Sequence, residues 1–283
     1  MAQWMRHRPI LAATLALPLM GYFGTAGTLA LHQRQMLFET NDSGQLAAAG
    51  YMAIEGSERI TLTTSDGERI AGWYVAPRPG QPVFLFLHGQ GGRLLRQTNR
   101  WDRIKAAGFG VLAISYRGYP GSTGRPSEVG LVRDARAAWD WLRTRHPAND
   151  IIIHGHSLGS GVAVQLAAQI ETEAKQRARA LVLEAPFTAA VDVAAERMPI
   201  MAVSLVMLDQ FRSRDVIGRV HAPVLIVHGD RDGVIPVEHA VRLIALANEP
   251  KTLVRLPDAN HNTLTRDGLY DIITRFLQQH GRS

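Results

Sequence analysis

The sequence predicts an α/β domain built on a doubly wound, mostly parallel sheet. Short apolar runs alternate with longer helical stretches along most of the chain, which is typical of parallel strands joined by crossover helices. Most of the apolar runs are hydrophobic at consecutive positions, as in strands that are buried on both faces. The length of 283 residues suits one large α/β domain with a short appendage.

Eight strands are predicted, and the first two differ from the rest. Residues 60–64 and 70–75 flank the turn Ser65-Asp66-Gly67-Glu68, which indicates an antiparallel hairpin at the start of the sheet. The six apolar runs that follow are predicted parallel strands. They comprise residues 83–87, 111–115, 151–153, 180–183, 224–227 and 252–256.

Helical stretches separate these strands, and one connection is longer than a crossover needs. The predicted helices are residues 94–107, 127–144, 158–174, 237–246 and 263–279. The long connection, residues 187–220, is rich in Ala, Met and Val, so we expect a small helical cap over the strand ends, where open α/β sheets bind ligands. The predicted divisions are an N-terminal segment (1–32), a connector (33–56) and the α/β domain (57–283).

The N-terminal segment carries a membrane signal. No side chain from Pro9 to Leu31 has a formal charge, and roughly 20 such residues span a bilayer as a helix. Because Arg6 and Arg8 precede this stretch, the positive-inside rule predicts a single-pass protein with its catalytic domain on the outer, periplasmic or extracytoplasmic, side. A cleaved secretory signal is the alternative, although the apolar stretch exceeds the roughly 7 to 15 residues usual there.

Composition argues against several other classes. The absence of cysteine excludes disulfides and thiolate chemistry. The net charge is +6, but the arginines are scattered, so no nucleic-acid partner is expected and an anionic lipid surface suits this charge better. His154 and His156 form an H-x-H pair beside a strand, where packing or hydrogen bonding is the simpler role. No metal and no cofactor are therefore expected.

The motif with the strongest chemical meaning is Gly155-His156-Ser157-Leu158-Gly159. It follows an apolar strand and precedes a helical stretch, the context in which G-x-S-x-G forms a sharp turn that exposes its serine hydroxyl. Ser157 is thus the predicted nucleophile. The alternative is that Ser157 only caps the following helix, as small polar residues commonly do.

A serine hydroxyl needs a base to accept its proton and a carboxylate to orient that base. His261 lies in a polar loop after the last predicted strand and is the predicted base. Asp232 is the predicted carboxylate, because it lies farther beyond its strand than the competing Asp230, which suits a turn. Asp258 is interpreted as the residue that ends its strand.

Stabilisation of the developing oxyanion needs two backbone N–H groups. The Leu158 N–H follows the nucleophile at the helix N-terminus and is one predicted donor. The other is the Gln90 N–H, in the loop His88-Gly89-Gln90-Gly91-Gly92. This loop lacks the lysine pattern of a phosphate-binding P-loop.

Taken with these motifs, the sequence resembles the α/β-hydrolases, and within them the Bem46-like membrane-anchored serine hydrolases with a serine aminopeptidase S33-like domain. The resemblance runs in collinear order through residues 33–38, 87–92, 116–128, 155–159, 184–188, 227–232 and 261–262. It implies a Ser157, Asp232 and His261 triad with Gln90 and Leu158 as oxyanion donors. One departure is Gln90-Gly91-Gly92, where the family commonly has Asn-Ala-Gly.

The predicted function is hydrolysis of small-molecule acyl substrates, namely carboxylic esters including lipid-like ones, or thioesters, through an acyl-enzyme. An apolar cap beside a membrane favours hydrophobic acyl chains. A serine aminopeptidase is the alternative within this chemistry, with Glu184 and Glu196 as candidate ligands of a substrate amine. A catalytically silent, membrane-tethered binding protein is the alternative from another class.

Overall fold

The structure is a computed structural model that describes residues 20–22, 24–40, 56–92 and 98–280. Within them lies an eight-stranded sheet of order β1-β2-β4-β3-β5-β6-β7-β8, in which β1, β2 and β4 pair antiparallel and all other neighbours are parallel. This confirms the predicted eight-stranded, mostly parallel sheet. The strands are Glu58–Thr63, Arg69–Val75, Val83–Leu87, Gly110–Ser115, Ile151–His156, Ala180–Glu184, Val224–Gly229 and Lys251–Leu256.

Helices cover both faces of this sheet. In the described part of the chain they are α1 (residues 20–22 and 24–38), α2 (Thr98–Ala106), α3 (Glu128–Arg143), α4 (Leu158–Glu173), α5 (Ala190–Arg197), α6 (Val203–Val206), α7 (Glu238–Leu246) and α8 (Leu269–Gln279). Apolar residues of α3, α4 and α7 pack in one core, whereas those of α2 and α8 pack in a second core on the opposite face. Burial from both sides explains why the inner strands are apolar at successive positions.

Two elements differ from their predicted form. Strand β8 is only partly buried because it pairs with β7 alone and forms one edge of the sheet. Helix α8 begins at Leu269, six residues after the predicted start, because residues 261–268 form turns and Gly268 adopts a left-handed φ of 101° just before the helix. The predicted start of α2 lies among residues 93–97, outside the described residues.

The connection between β6 and β7 holds the short helices α5 and α6 and the 3₁₀ turns Ser213–Asp215 and Ile217–Arg219. Helix α1 lies beside it, through contacts that include the hydrogen bond from the Ala202 N–H to the Tyr22 hydroxyl (3.3 Å). The predicted membrane segment lies partly outside the described residues, since it begins at Pro9. Among the helices described, none has both the length and the apolar character needed to cross a membrane.

Candidate active site

Ser157 occupies the sharp turn between β5 and α4. Its φ of 52° and ψ of −119° are strained for a residue with a side chain, and such strain is typical of functional sites. The flanking glycines make the turn possible, because a Cβ at Gly155 would overlap the Gly159 carbonyl oxygen and one at Gly159 would overlap the Leu87 carbonyl oxygen. The Ser157 side chain makes no capping hydrogen bond to α4, so the capping interpretation does not describe its role.

The Ser157 hydroxyl is hydrogen-bonded to a histidine, which is hydrogen-bonded to a carboxylate. Ser157 Oγ lies 2.9 Å from His261 Nε2, and His261 Nδ1 lies 2.7 Å from Asp232 Oδ2. All three residues are buried. The structure thus brings together the three side chains that the sequence singled out, in the order that proton transfer from a serine requires.

Two loops that are hydrogen-bonded to each other carry the histidine and the carboxylate. The Asp230 N–H donates to the Leu256 carbonyl and the Arg231 N–H to the Ala259 carbonyl, both at 3.0 Å. These bonds join the loop after β7 to the loop after β8. They place Asp232, rather than Asp230, beside the histidine ring.

The competing carboxylates have other partners. Asp230 accepts a hydrogen bond from Arg255 Nε (2.7 Å) on the edge strand β8. Asp258 forms an exposed ion pair with Arg231, also at 2.7 Å. Neither carboxylate is therefore part of the serine–histidine arrangement.

Asp232 is held ionised by its neighbours. Burial by itself would raise the pKa of this carboxyl, but hydrogen bonds from His228 and His261 and from the Ile235 N–H hold it well below its usual range. Asp232 Oδ1 accepts from the N–H groups of Val234 and Ile235, each at 2.8 Å. A carboxylate fixed in this way can hold the His261 ring in one orientation.

His228 is a contact that the sequence did not single out as part of the site. Its Nε2 lies 2.9 Å from the Ile235 carbonyl and 3.2 Å from Asp232 Oδ2. The sequence showed only a histidine at the end of an apolar strand. Its relation to Asp232 depends on how the following loop folds back.

Gln90 and Leu158, the predicted oxyanion donors, both line a cavity that also exposes Ser157. Leu158 is the first residue of α4, whose N-terminus favours negative charge. The Gln90 side chain has a separate role, since its Nε2 donates to the Met36 carbonyl (2.6 Å) at the end of α1. This contact gives the glutamine a structural use at the position where the resembled family commonly has asparagine.

A buried ion pair lies beneath the turn that holds Ser157. Arg100 Nη1 and Nη2 donate to Glu184 at 2.6 and 3.0 Å, and both side chains are buried. Burial alone would raise the pKa of Glu184, but the Arg100 guanidinium holds it well below its usual range. The Glu184 carbonyl accepts the Ser157 N–H at 2.9 Å, so this pair supports the turn.

The two histidines of the H-x-H pair lie at different depths. His154 is buried, and its Nε2 is 3.3 Å from Glu184 Oε2. His156 borders the cavity next to Ser157, and burial lowers its pKa to about 4, so it is neutral at neutral pH. Among the described residues, no group of three or more His, Cys, Asp or Glu side chains is arranged to hold a metal ion.

Two cavities meet at Ser157. The larger, of about 900 Å³, is called the polar cavity because most of its lining residues are polar or charged. They include His261 and the charged residues Glu39, Asp102, Arg103, Glu184 and Arg266. The second, of about 360 Å³, lies between α1 and the helices α5 and α6 and is lined mostly by aliphatic and methionine side chains. A substrate whose reactive carbon lies at Ser157 could place an apolar group in the smaller cavity and a polar group in the larger one.

Sequence comparisons agree with this architecture. The model of the serine aminopeptidase S33 family matches residues 78–214. The uncharacterized protein Rv2307c of Mycobacterium tuberculosis is 35% identical over 254 residues, covering 87% of this chain and 88% of its own length. The human alpha/beta hydrolase domain-containing protein 17B is 32% identical over 228 residues, covering 78% and 75%.

Solved structures of the same fold extend this likeness. An alpha-beta hydrolase from Vibrio vulnificus is 25% identical with a TM-score of 0.66 and covers 83% of this chain and 86% of its own. The Pyrococcus furiosus esterase Pf2001 has a TM-score of 0.64 at 21% identity, with 80% and 93% covered, and shows the shared fold. Fold and site together define an α/β enzyme of the hydrolase class. The chain belongs to the α/β-hydrolase superfamily.

Proposed function

We propose that this chain hydrolyses acyl esters, with Ser157 as nucleophile, His261 as general base and Asp232 as the carboxylate that orients the base. The observation that carries this proposal is the pair of hydrogen bonds on His261, 2.9 Å to Ser157 Oγ and 2.7 Å to Asp232 Oδ2. A serine that is bonded to a histidine in this way can lose its proton as it attacks a carbonyl carbon.

In the proposed reaction Ser157 Oγ bonds to the acyl carbon while its proton moves to His261 Nε2. The oxyanion receives hydrogen bonds from the N–H groups of Gln90 and Leu158. His261 then gives the proton to the departing alkoxide, which leaves as the alcohol. Water, deprotonated by the same histidine, attacks the acyl-enzyme and releases the carboxylic acid and free serine.

The two cavities support an ester with an apolar acyl group. The apolar cavity borders Ser157 and Leu158, and the polar cavity borders Ser157 and His261, where the alcohol would leave. Two of the solved neighbours carry the name esterase, one from Pyrococcus furiosus and one from Exiguobacterium antarcticum. An ester with an apolar acyl group therefore suits the site better than an ester with a charged acyl group.

Peptide hydrolysis is the second candidate, favoured by the serine aminopeptidase description of the matching family. It needs a free carboxylate to hold the substrate amine. Glu184 is bonded to Arg100, and Glu196 is bonded to Arg242 (2.9 Å) and lies 3.1 Å from His239. These bonds argue against both carboxylates that the sequence suggested and leave Glu39 and Asp102, which border the polar cavity.

A matched substrate panel separates the two candidates. We expect turnover of p-nitrophenyl butyrate and of the butyryl thioester, with alanine p-nitroanilide at the background rate, because the apolar cavity accepts the butyryl group and offers no partner for an ammonium group. The measurement is kcat/KM for each substrate with the full chain. Faster cleavage of the anilide than of the esters would favour the peptidase, and no turnover of any member would favour a silent binding protein.

We also propose that the chain is held at a membrane by its N-terminal residues, with the catalytic domain on the outer side. The uncharged stretch from Pro9 supports this, as does the position of Arg6 and Arg8 before it. The second half of this stretch belongs to α1, which also contacts the region between β6 and β7, so the membrane contact is proposed to lie beside that region. Large apolar side chains exposed on the same side of the molecule, Met20, Ile200, Leu205 and Leu208, would add to it.

A topology reporter tests this placement. Alkaline phosphatase fused after Ser283 is expected to be active in a bacterial host, because that enzyme needs an oxidising compartment for its disulfides. A fluorescent protein that matures only in the cytoplasm, fused at the same position, is the control and should stay dark. The reverse pattern, a bright control and an inactive phosphatase, would contradict the proposed orientation.

A further inference from the structure

We propose that helix α1 forms a wall of the acyl-binding site and that its residues set the length of acyl chain that the protein accepts. The proposal rests on the acyl hydrolysis proposed for Ser157 and names the part of the molecule that selects the substrate. It gives a binding role to a segment that, by sequence, overlaps a membrane signal. Contacts along the C-terminal half of α1 support it.

The first contacts fix α1 to the region between β6 and β7. Gln33 Nε2 donates to the Val206 carbonyl (3.0 Å), and Gln33 Oε1 accepts the Leu208 N–H (2.6 Å). The next residue, Arg34, donates from Nε and Nη2 to Asp209 at 2.7 and 3.3 Å. Both ends of the Gln33 side-chain amide and both oxygens of the Asp209 carboxylate are therefore bonded at the same turn of α1.

Asp209 ties α1 to the body of the domain as well. It is only 4% exposed, and its Oδ1 also accepts the Glu128 N–H (2.8 Å) at the N-terminus of α3, an end that favours an anion. Glu128 in turn accepts the Phe211 N–H at 2.9 Å. Because a buried carboxylate is stable only while its partners are in place, α1 is attached at a fixed position.

The C-terminal end of α1 is attached to the loop that carries the proposed oxyanion donor. The Met36 carbonyl accepts from Gln90 Nε2 (2.6 Å), and the Phe38 carbonyl accepts from the Tyr119 hydroxyl and the Gly91 N–H (3.4 Å). The last carbonyls of a helix have no partner within it and need others. Gln90 and Gly91 of the loop supply two of these partners, so α1 and the oxyanion loop position each other.

N-terminal to these two attachments, α1 faces the apolar cavity. Leu29 and Ala30 line one wall, Val193 and Met201 line the opposite wall, and Ser157 lies at the cavity's inner end. At about 360 Å³ the space is large enough for a small apolar ligand. Methionine adapts to unbranched chains. The occupant that suits this space is the straight acyl chain of the ester bonded to Ser157.

Filling the cavity from α1 should shorten the accepted chain. In Ala30→Trp we expect the ratio of kcat/KM for p-nitrophenyl dodecanoate over acetate to fall about tenfold, because the indole occupies the space of several methylenes. The matched control is Leu31→Trp, the same new side chain on the neighbouring residue, which is 83% exposed and does not line the cavity. It should keep the wild-type ratio. An unchanged ratio in Ala30→Trp, or an equal fall in both variants, would overturn the proposal.

A binding measurement tests the role of α1 in acyl-chain binding independently of turnover. In the Ser157→Ala protein, dodecanoate binding measured by calorimetry should weaken about tenfold when Ala30→Trp is added and stay unchanged with Leu31→Trp. Equal dodecanoate affinity in all three proteins would contradict the proposal that α1 forms a wall of the acyl-binding site, even if esters are hydrolysed. Tight binding that Ala30→Trp abolishes would uphold it even if no ester is turned over. Should Ala30→Trp not fold, Leu29→Ala, which removes apolar contact, is expected to weaken dodecanoate binding several-fold.

Discussion

Replacing Ser157 by alanine is expected to lower kcat for p-nitrophenyl butyrate by about 10⁵-fold or more, since loss of a nucleophilic serine removes the acyl-enzyme route altogether. His261 would keep its bond to Asp232, and the fold should survive because the Ser157 hydroxyl makes no capping bond to α4. The strain at residue 157 belongs to the backbone φ and is the same for serine and alanine, so no large change in thermal stability is expected.

Labelling by a fluorophosphonate gives the same variant a second measurement. The wild-type chain should be labelled at Ser157 and the variant should not be labelled. The matched control is Ser204→Ala, the same change at an exposed serine of α6, which should leave both labelling and turnover as they are. If Ser157→Ala retains either, the nucleophile is another residue and the proposed mechanism is wrong.

Much of the sheet could be predicted from the sequence because its signal is local. The inner strands are buried from both sides, so each is a run of apolar residues that begins and ends no more than three positions from the ends of the observed strand. Strand β8 is the exception, because it lies at an edge of the sheet and is only partly buried, and an edge position depends on the order of strands in space. The late start of α8 depends on the turn conformation of Gly268, which helical periodicity does not reveal.

The part of the candidate site that could be predicted is the part whose residues follow the ends of parallel strands. Ser157, Asp232 and His261 follow β5, β7 and β8, and the ends of parallel strands meet at one edge of the sheet. Their catalytic roles stay predictions, although the structure places them in hydrogen-bond contact. The choice of Asp232 over Asp230 relied on its greater distance beyond the end of its strand. The hydrogen bonds between the loops after β7 and β8 agree with this choice.

Other contacts of the site have no local signal. Arg100 and Glu184 are 84 residues apart, and Arg34 and Asp209 are 175 apart. An isolated arginine on a helix predicts a solvated side chain, so neither pair could be inferred from spacing. The apolar face of α1 was equally ambiguous, because residues that suit a lipid environment also suit a wall of an acyl cavity.

Replacing Asp232 by asparagine is expected to lower kcat by about 10⁴-fold, because an amide neither stabilises the imidazolium nor holds the productive tautomer of the histidine. Since hydrogen bonds keep the pKa of Asp232 well below its usual range, the native carboxylate is charged throughout the neutral range, and the loss should be seen at every pH tested there. The asparagine carbonyl can still accept the Val234 and Ile235 N–H groups, so the loop should keep its shape.

Asp230→Asn is the matched control, two residues away on the same loop. Asp230 is bonded to Arg255 on the sheet edge, and loss of a partly exposed ion pair costs at most about 1 kcal/mol of stability. Its kcat should therefore stay close to that of the wild type, with a slightly lower Tm. A large loss of kcat in Asp230→Asn with little change in Asp232→Asn would assign the orienting role to Asp230. Such a result would require the loop after β7 to rearrange when substrate binds, since of these two carboxylates it is Asp232 that contacts His261 in this structure.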